Sequence, residues 1–86
     1  MARVKIYSTG TCPICDKAKA LLQKWRIPYE EYRVDQNQGA LKEMLKLTNH
    51  ARTVPQIAID EKWIGGFSEL TELHMDGELD GLVEAS

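Results

Sequence analysis

The chain has 86 residues and a formal net charge of −2, so residues 1–86 have room for one compact domain, usually on the order of 50 to 250 residues, and none for a second. Its basic residues are scattered among acidic ones rather than clustered, which argues against nucleic acid or an anionic membrane as the main partner. Two cysteines in the whole chain cannot build the multi-bridge framework of a small secreted domain, so their job reads as chemical rather than structural.

The first residues after Met1 are Ala2-Arg3-Val4-Lys5-Ile6-Tyr7, with no long apolar run. Neither a signal peptide nor a membrane span is expected, and the cytoplasm is the expected compartment. Residues 3–7 alternate polar with apolar side chains, which predicts a first strand closed by the turn-prone Ser8-Thr9-Gly10. From Pro13 onward Ile14, Ala18, Leu21, Leu22 and Trp25 recur at helical spacing, opposite Asp16, Lys17, Lys19, Gln23 and Lys24, and Pro28 is expected to end that helix. Residues 29–34 are the second strand candidate, and 35–39 a loop able to cap a second helix with Leu41, Met44 and Leu45 as its buried stripe. Asn49-His50-Ala51-Arg52 breaks that pattern. Residues 55–59 and 62–64 read as short strands around a tight Asp60-Glu61 turn, closed by Gly65-Gly66. Ser68 is the expected N-cap of a third helix carrying Leu70 and Leu73, and a last helical turn or two holds Leu79, Leu82 and Val83 after Gly77. The order βαβα followed by ββα forces a parallel pair with a right-handed crossover and adds a hairpin. The expected architecture is α/β, a four-stranded mixed sheet with helices on both faces.

Cys12 and Cys15, in Thr11-Cys12-Pro13-Ile14-Cys15, lie three apart at a strand-to-helix junction. That spacing puts them about one helical turn apart on one face, within the Cα separation a disulfide tolerates. Pro13 suits a first helical position, because its ring presets φ and its missing N–H would have had no helical partner. Cys12 then sits where free amide N–H groups and the positive end of the helix dipole favour a thiolate, so its pKa should be depressed. Cys15, one turn inside, is the expected buried resolving thiol. A zinc site is the competing reading of Cys-x-x-Cys, but there is no second pair, and His50 and His74 stand alone without ligand spacing. No metal is expected.

With the dithiol in place, Thr53-Val54-Pro55-Gln56 and Gly65-Gly66-Phe67-Ser68-Glu69-Leu70 complete a triple of motifs that resembles the glutaredoxins across nearly the whole chain. The resemblance implies a thioredoxin fold that takes electrons from glutathione and reduces protein disulfides and protein–glutathione mixed disulfides. Cys12 would attack and Cys15 would resolve. Pro55 would be cis, leaving the N–H and C=O of Val54 unpaired at an edge for an extended peptide. The implied glutathione contacts are Thr11, Pro13, Ile14, Thr53, Val54, Pro55, Gly66, Phe67, Ser68 and Glu69, with Ser68 and its backbone N–H on the γ-glutamyl carboxylate and Glu69 on the amine. Many relatives carry a lysine three residues before the first cysteine, where this chain has Thr9. Lys42 and Arg52 are the candidate replacement cations, and for both a solvated surface side chain is the alternative. Ile14 stands where tyrosine is usual, which should make substrate contact there more apolar. No tightly bound cofactor is expected, glutathione is the reducing co-substrate, and the protein should be a monomer.

Two other functions fit the dithiol. A redoxin reduced by thioredoxin reductase shares fold and chemistry without glutathione, and Thr9 keeps it open. A cluster module would share a [2Fe–2S] centre between two chains through Cys12 and glutathione thiols, and by comparison with the family Pro13 weighs against it.

Overall fold

The computed structural model of the chain describes residues 3–60 and 62–84, without the side chains of Asp80, Val83 and Glu84. Glu61 of the expected turn and the Val83 side chain of the expected last helix lie outside the described residues. The elements run β1 Val4–Ser8, α1 Pro13–Lys24, β2 Tyr29–Arg33, α2 Gln38–Leu47, β3 Gln56–Ile59, β4 Lys62–Gly65, α3 Phe67–Met75 and α4 Leu79–Glu84. The strands lie in the order β2-β1-β3-β4, with β1 parallel to β2 and antiparallel to β3, and β4 antiparallel to β3.

β1 is central and sheds side chains to both faces. Val4 and Ile6 point to one side, where Ile57 and Ile59 of β3, Ala18 and Leu22 of α1, Leu70 of α3 and Leu79 of α4 join them in the larger core. Tyr7 points to the other, where it packs with Val34 and with Ala40 and Met44 of α2, its ring stacked on Tyr32 at 5.6 Å. Helices therefore cover both faces, as the element order predicts. The first strand forms where the alternation of residues 3–7 predicts it, and its polar position is drawn in as well: β1 is buried apart from a half-buried Lys5. Lys5 lies on the α2 face, its ammonium reaching Glu43 at 3.2 Å and standing 5.8 Å from the centre of the Tyr32 ring.

Helix boundaries follow local chemistry more than the prolines suggest. α1 stops at Lys24 because Arg26 takes a left-handed conformation (φ 59°), which lets the N–H of Ile27 bond the carbonyl of Leu22 at 2.9 Å. Pro28 acts later, holding the chain extended into β2. α2 begins inside the expected loop: Asn37 accepts the N–H of Ala40 at 3.1 Å, so Gln38 and Gly39 are already helical. The buried stripe of α2 is Ala40 and Met44, with Leu41 and Leu45 at its margins. Left-handed Asn49 and His50 end it. Ser68 does not cap α3. Gly65, at φ +116°, turns the chain so that Gly66 becomes the N-cap, and Glu69 reaches back to accept the Gly66 N–H at 2.7 Å.

Candidate active site

Cys12 is the N-cap of α1 with Pro13 at the first helical position. The cap is the sulfur itself: Cys12 Sγ accepts the backbone N–H of Cys15 at 3.0 Å, while the Cys12 carbonyl accepts from Asp16 N–H at 3.1 Å. A fixed N–H donor at the helix start favours a thiolate on Cys12 once the disulfide opens. The two cysteines are joined in this structure, with Cα atoms 5.1 Å apart. Cys15 is 0% exposed and Cys12 half-buried, so an incoming sulfur meets Cys12.

Two further segments close on the dithiol. The Val54–Pro55 peptide is cis, as the resemblance implied, and the Val54 carbonyl oxygen lies 3.8 Å from Cys12 Sγ. The N–H of Val54 has no partner among the described residues. The start of α3 then packs against that segment so closely that a Cβ on Gly66 would sit 3.1 Å from the Pro55 carbonyl oxygen. Between Ile14, which stands between the two cysteines in sequence, and these two segments lies a cleft of about 420 Å³ lined by Ile14, Ala51, Thr53, Val54, Pro55, Gln56, Trp63, Gly66, Phe67, Ser68 and Glu69; the cysteines themselves stand outside the lining.

Eight of the residues singled out from sequence thus meet on one cleft: Ile14, Thr53, Val54, Pro55, Gly66, Phe67, Ser68 and Glu69. Ile14 belongs there and not on the buried stripe of α1, being 50% exposed; Cys15 takes the stripe position instead. Thr11 and Pro13 flank Cys12 at the surface, outside the cleft lining. Lys42 and Arg52 are exposed and also outside it, so Glu69 is the one charged residue of the described lining. Gln56 and Trp63 line the cleft without having been expected there. Their signals were a single polar residue in an apolar strand and a tryptophan on the last strand before the paired glycines.

Polar clamps hold the frame of the site. The loop entering the dithiol is fixed where Gly10 N–H donates to Asp35 Oδ2 at 3.1 Å and Arg33 grips the same carboxylate with two N–H bonds of 3.1 Å each. Arg33, followed by the Gly10 N–H, holds the Asp35 carboxyl below its ordinary range. Behind α1, Lys19 bonds Glu31 of β2 at 2.8 Å and Asp16 at 3.3 Å, and Ser8 at the end of β1 donates to Glu31 at 2.6 Å. The Lys19 bond, then that of Ser8, lowers the Glu31 pKa, and the Glu31 bond raises that of Lys19. Stability from the lowered Glu31 is present above the ordinary glutamate range and lost as pH falls through the folded value. Stability from the raised Lys19 is present below the ordinary lysine range and lost only at strongly basic pH. Thermal melts between about pH 3 and 5 should therefore show a shallower acid limb for Glu31→Gln than for the unmodified protein; equal limbs would show that the pair adds nothing.

Comparison with known proteins gives one consistent result. The family model described as Glutaredoxin matches residues 4–64. Glutaredoxin 3 of Escherichia coli K12 is 43% identical over 84 residues, covering 98% of this chain and 100% of the relative. A buckwheat glutaredoxin solved as a complex with glutathione superposes with a TM-score of 0.83 at 29% identity, over 95% of this chain and 76% of that one. A dithiolic glutaredoxin of Trypanosoma brucei brucei gives 0.81 at 34% identity, over 96% and 88%.

Proposed function

The chain belongs to the glutaredoxin family, whose dithiol chemistry makes it a thiol–disulfide oxidoreductase, and on that premise we propose that glutathione is its reductant and that it reduces protein disulfides and protein–glutathione mixed disulfides in the cytoplasm. The observation that carries this reading is the single cleft that joins Val54, Gly66, Phe67 and Ser68 beside Cys12. An extended tripeptide placed there pairs its backbone with the N–H and C=O of Val54 and brings its sulfur towards Cys12. Its γ-glutamyl carboxylate meets the first-turn N–H groups of α3 at Phe67 and Ser68, which have no partner within the helix. Glu69 has one oxygen on Gly66 and its other free to meet the amine.

The chemistry balances in two exchanges. The Cys12 thiolate attacks the glutathione sulfur of a mixed disulfide, the substrate protein leaves as a thiolate that takes up a proton, and Cys12 carries glutathione. A second glutathione thiolate then attacks that sulfur, releasing glutathione disulfide and restoring Cys12. With a protein disulfide, Cys15 resolves the first adduct instead, and the Cys12–Cys15 bridge that results is opened by two glutathione molecules.

One observation favours a second reading. No cation lines the described cleft, so the glycyl carboxylate has no charged partner there, and reduction by thioredoxin reductase would not need one. Titration of the reduced Cys15→Ser protein with glutathione, followed by amide NMR, separates the two. Shifts confined to the surroundings of Cys12, Val54 and Ser68 are the expected result. No shifts at millimolar glutathione, with turnover of the unmodified protein in the thioredoxin reductase coupled assay, would replace the proposal by the second reading.

A further inference from the structure

Gln56 is the one polar side chain of β3, only 5% exposed, and both ends of its amide are engaged. Nε2 donates to the Thr53 carbonyl oxygen at 2.9 Å and to Thr53 Oγ1 at 3.1 Å, and Oε1 accepts the indole N–H of Trp63 at 2.8 Å. The partners dictate the orientation of the amide, since an indole N–H can only donate and a carbonyl oxygen can only accept. Residues 51–55 lie in neither helix nor strand. No ladder therefore holds Thr53 and Val54, and the Gln56 amide fixes Thr53 in its place.

We propose that Trp63 and Gln56 are positioning residues for the thiol peptide: the Trp63 N–H orients the Gln56 amide, which pins Thr53 and so holds the Val54 backbone at the edge of the cleft. The inference rests on the cleft being the glutathione site. Thr53 keeps its carbonyl occupied within the protein, which leaves Val54 as the pairing edge. Trp63, 42% exposed on the edge strand β4, has a second use as an apolar wall of the same cleft. Its N–H and its ring can be separated by substitution.

Steady-state reduction of a glutathionylated peptide tests this. Trp63→Phe keeps an aromatic wall, though a smaller one, and loses the donor; it should raise KM about five-fold, the worth of one neutral hydrogen bond, with a much smaller change in kcat. Trp63→His, whose Nε2 can occupy the same ring position, should recover most of the loss. Gln56→Met should raise KM at least as far, and the double variant no further, because the two residues act in series. KM for Trp63→Phe within two-fold of the unmodified protein, no recovery by histidine, or additive effects in the double variant would overturn the inference. If the unmodified protein itself shows no saturation with the glutathionylated peptide, the glutathione reading fails first, so the two failures are distinct.

Discussion

Cys12→Ser should reduce glutathione-dependent turnover of a mixed disulfide to the uncatalysed background, while Cys15→Ser keeps a monothiol activity on glutathionylated substrate and loses reduction of protein disulfides. Cys12 is the half-buried sulfur that accepts the Cys15 N–H at the N-cap of α1, whereas Cys15 is sealed within the first turn. An ordinary cysteine is only a few per cent thiolate at neutral pH. Lowering the pKa towards ambient raises that fraction many-fold while leaving most of the nucleophilicity, since nucleophilicity falls less steeply than the thiolate fraction rises. Serine at position 12 removes both the nucleophile and the leaving group, so no compensating route remains. Serine at position 15 removes only the internal resolving step, and external glutathione can take its place. Both variants should fold, because oxygen for sulfur is a small change and the bridge closes only a three-residue interval. Coupled assays on a glutathionylated peptide and on a protein disulfide read the two activities separately, and the opposite pattern would exchange the roles of the two cysteines.

Gly65→Ala should be the most damaging glycine substitution in the fold. Gly65 sits at φ +116°, where a side chain is strained whatever the surroundings, at a cost on the order of 1–3 kcal/mol. The new Cβ would also fall 2.6 Å from Glu69 Cγ and 2.8 Å from Glu69 Cβ. Glu69 must then swing away from the Gly66 N–H, removing a helix cap worth about 1 kcal/mol. The sum is about 2–4 kcal/mol, a large share of the stability of a small domain, and it corresponds to a fall in melting temperature of about 10–25 °C. Gly81→Ala is the control. It lies in α4 with no atom within 4 Å of the added Cβ and no positive φ, so it should be neutral or stabilising by up to about 1 kcal/mol. Melting curves of the two variants check the contrast, and a Gly65→Ala protein that melts with the unmodified one would show that α3 does not depend on this turn.

Much of this protein can be read from residues close together in sequence. The periodicity of Ala18, Leu22 and Met44 and the alternating β-branched residues Val4 and Ile6 of β1 and Ile57 and Ile59 of β3 mark the elements, and their order dictates the crossover. Cys12-Pro13-Ile14-Cys15 reads as a helix-start dithiol because capping and dipole effects act over three or four residues. At three positions a residue's local character and its place in the fold disagree. Ile14 has the spacing of a core residue yet faces the cleft, Pro28 has the character of a helix stop yet Arg26 turns first, and Ser68 has the character of a cap yet Gly65 places the helix start two residues earlier.

By itself the sequence determined which elements form, that the dithiol opens a helix, and that three separated motifs resemble those of one family. Only the tertiary structure decided that Val54 stands 3.8 Å from a sulfur 42 residues earlier, that Lys42 and Arg52 stay outside the cleft, and that Gln56 ties Trp63 to Thr53. The physical reason is range. Propensity, capping and turn chemistry act between neighbours along the chain, whereas the cleft exists because two helices and an irregular segment pack against one sheet, and those distances are set by the core beneath them.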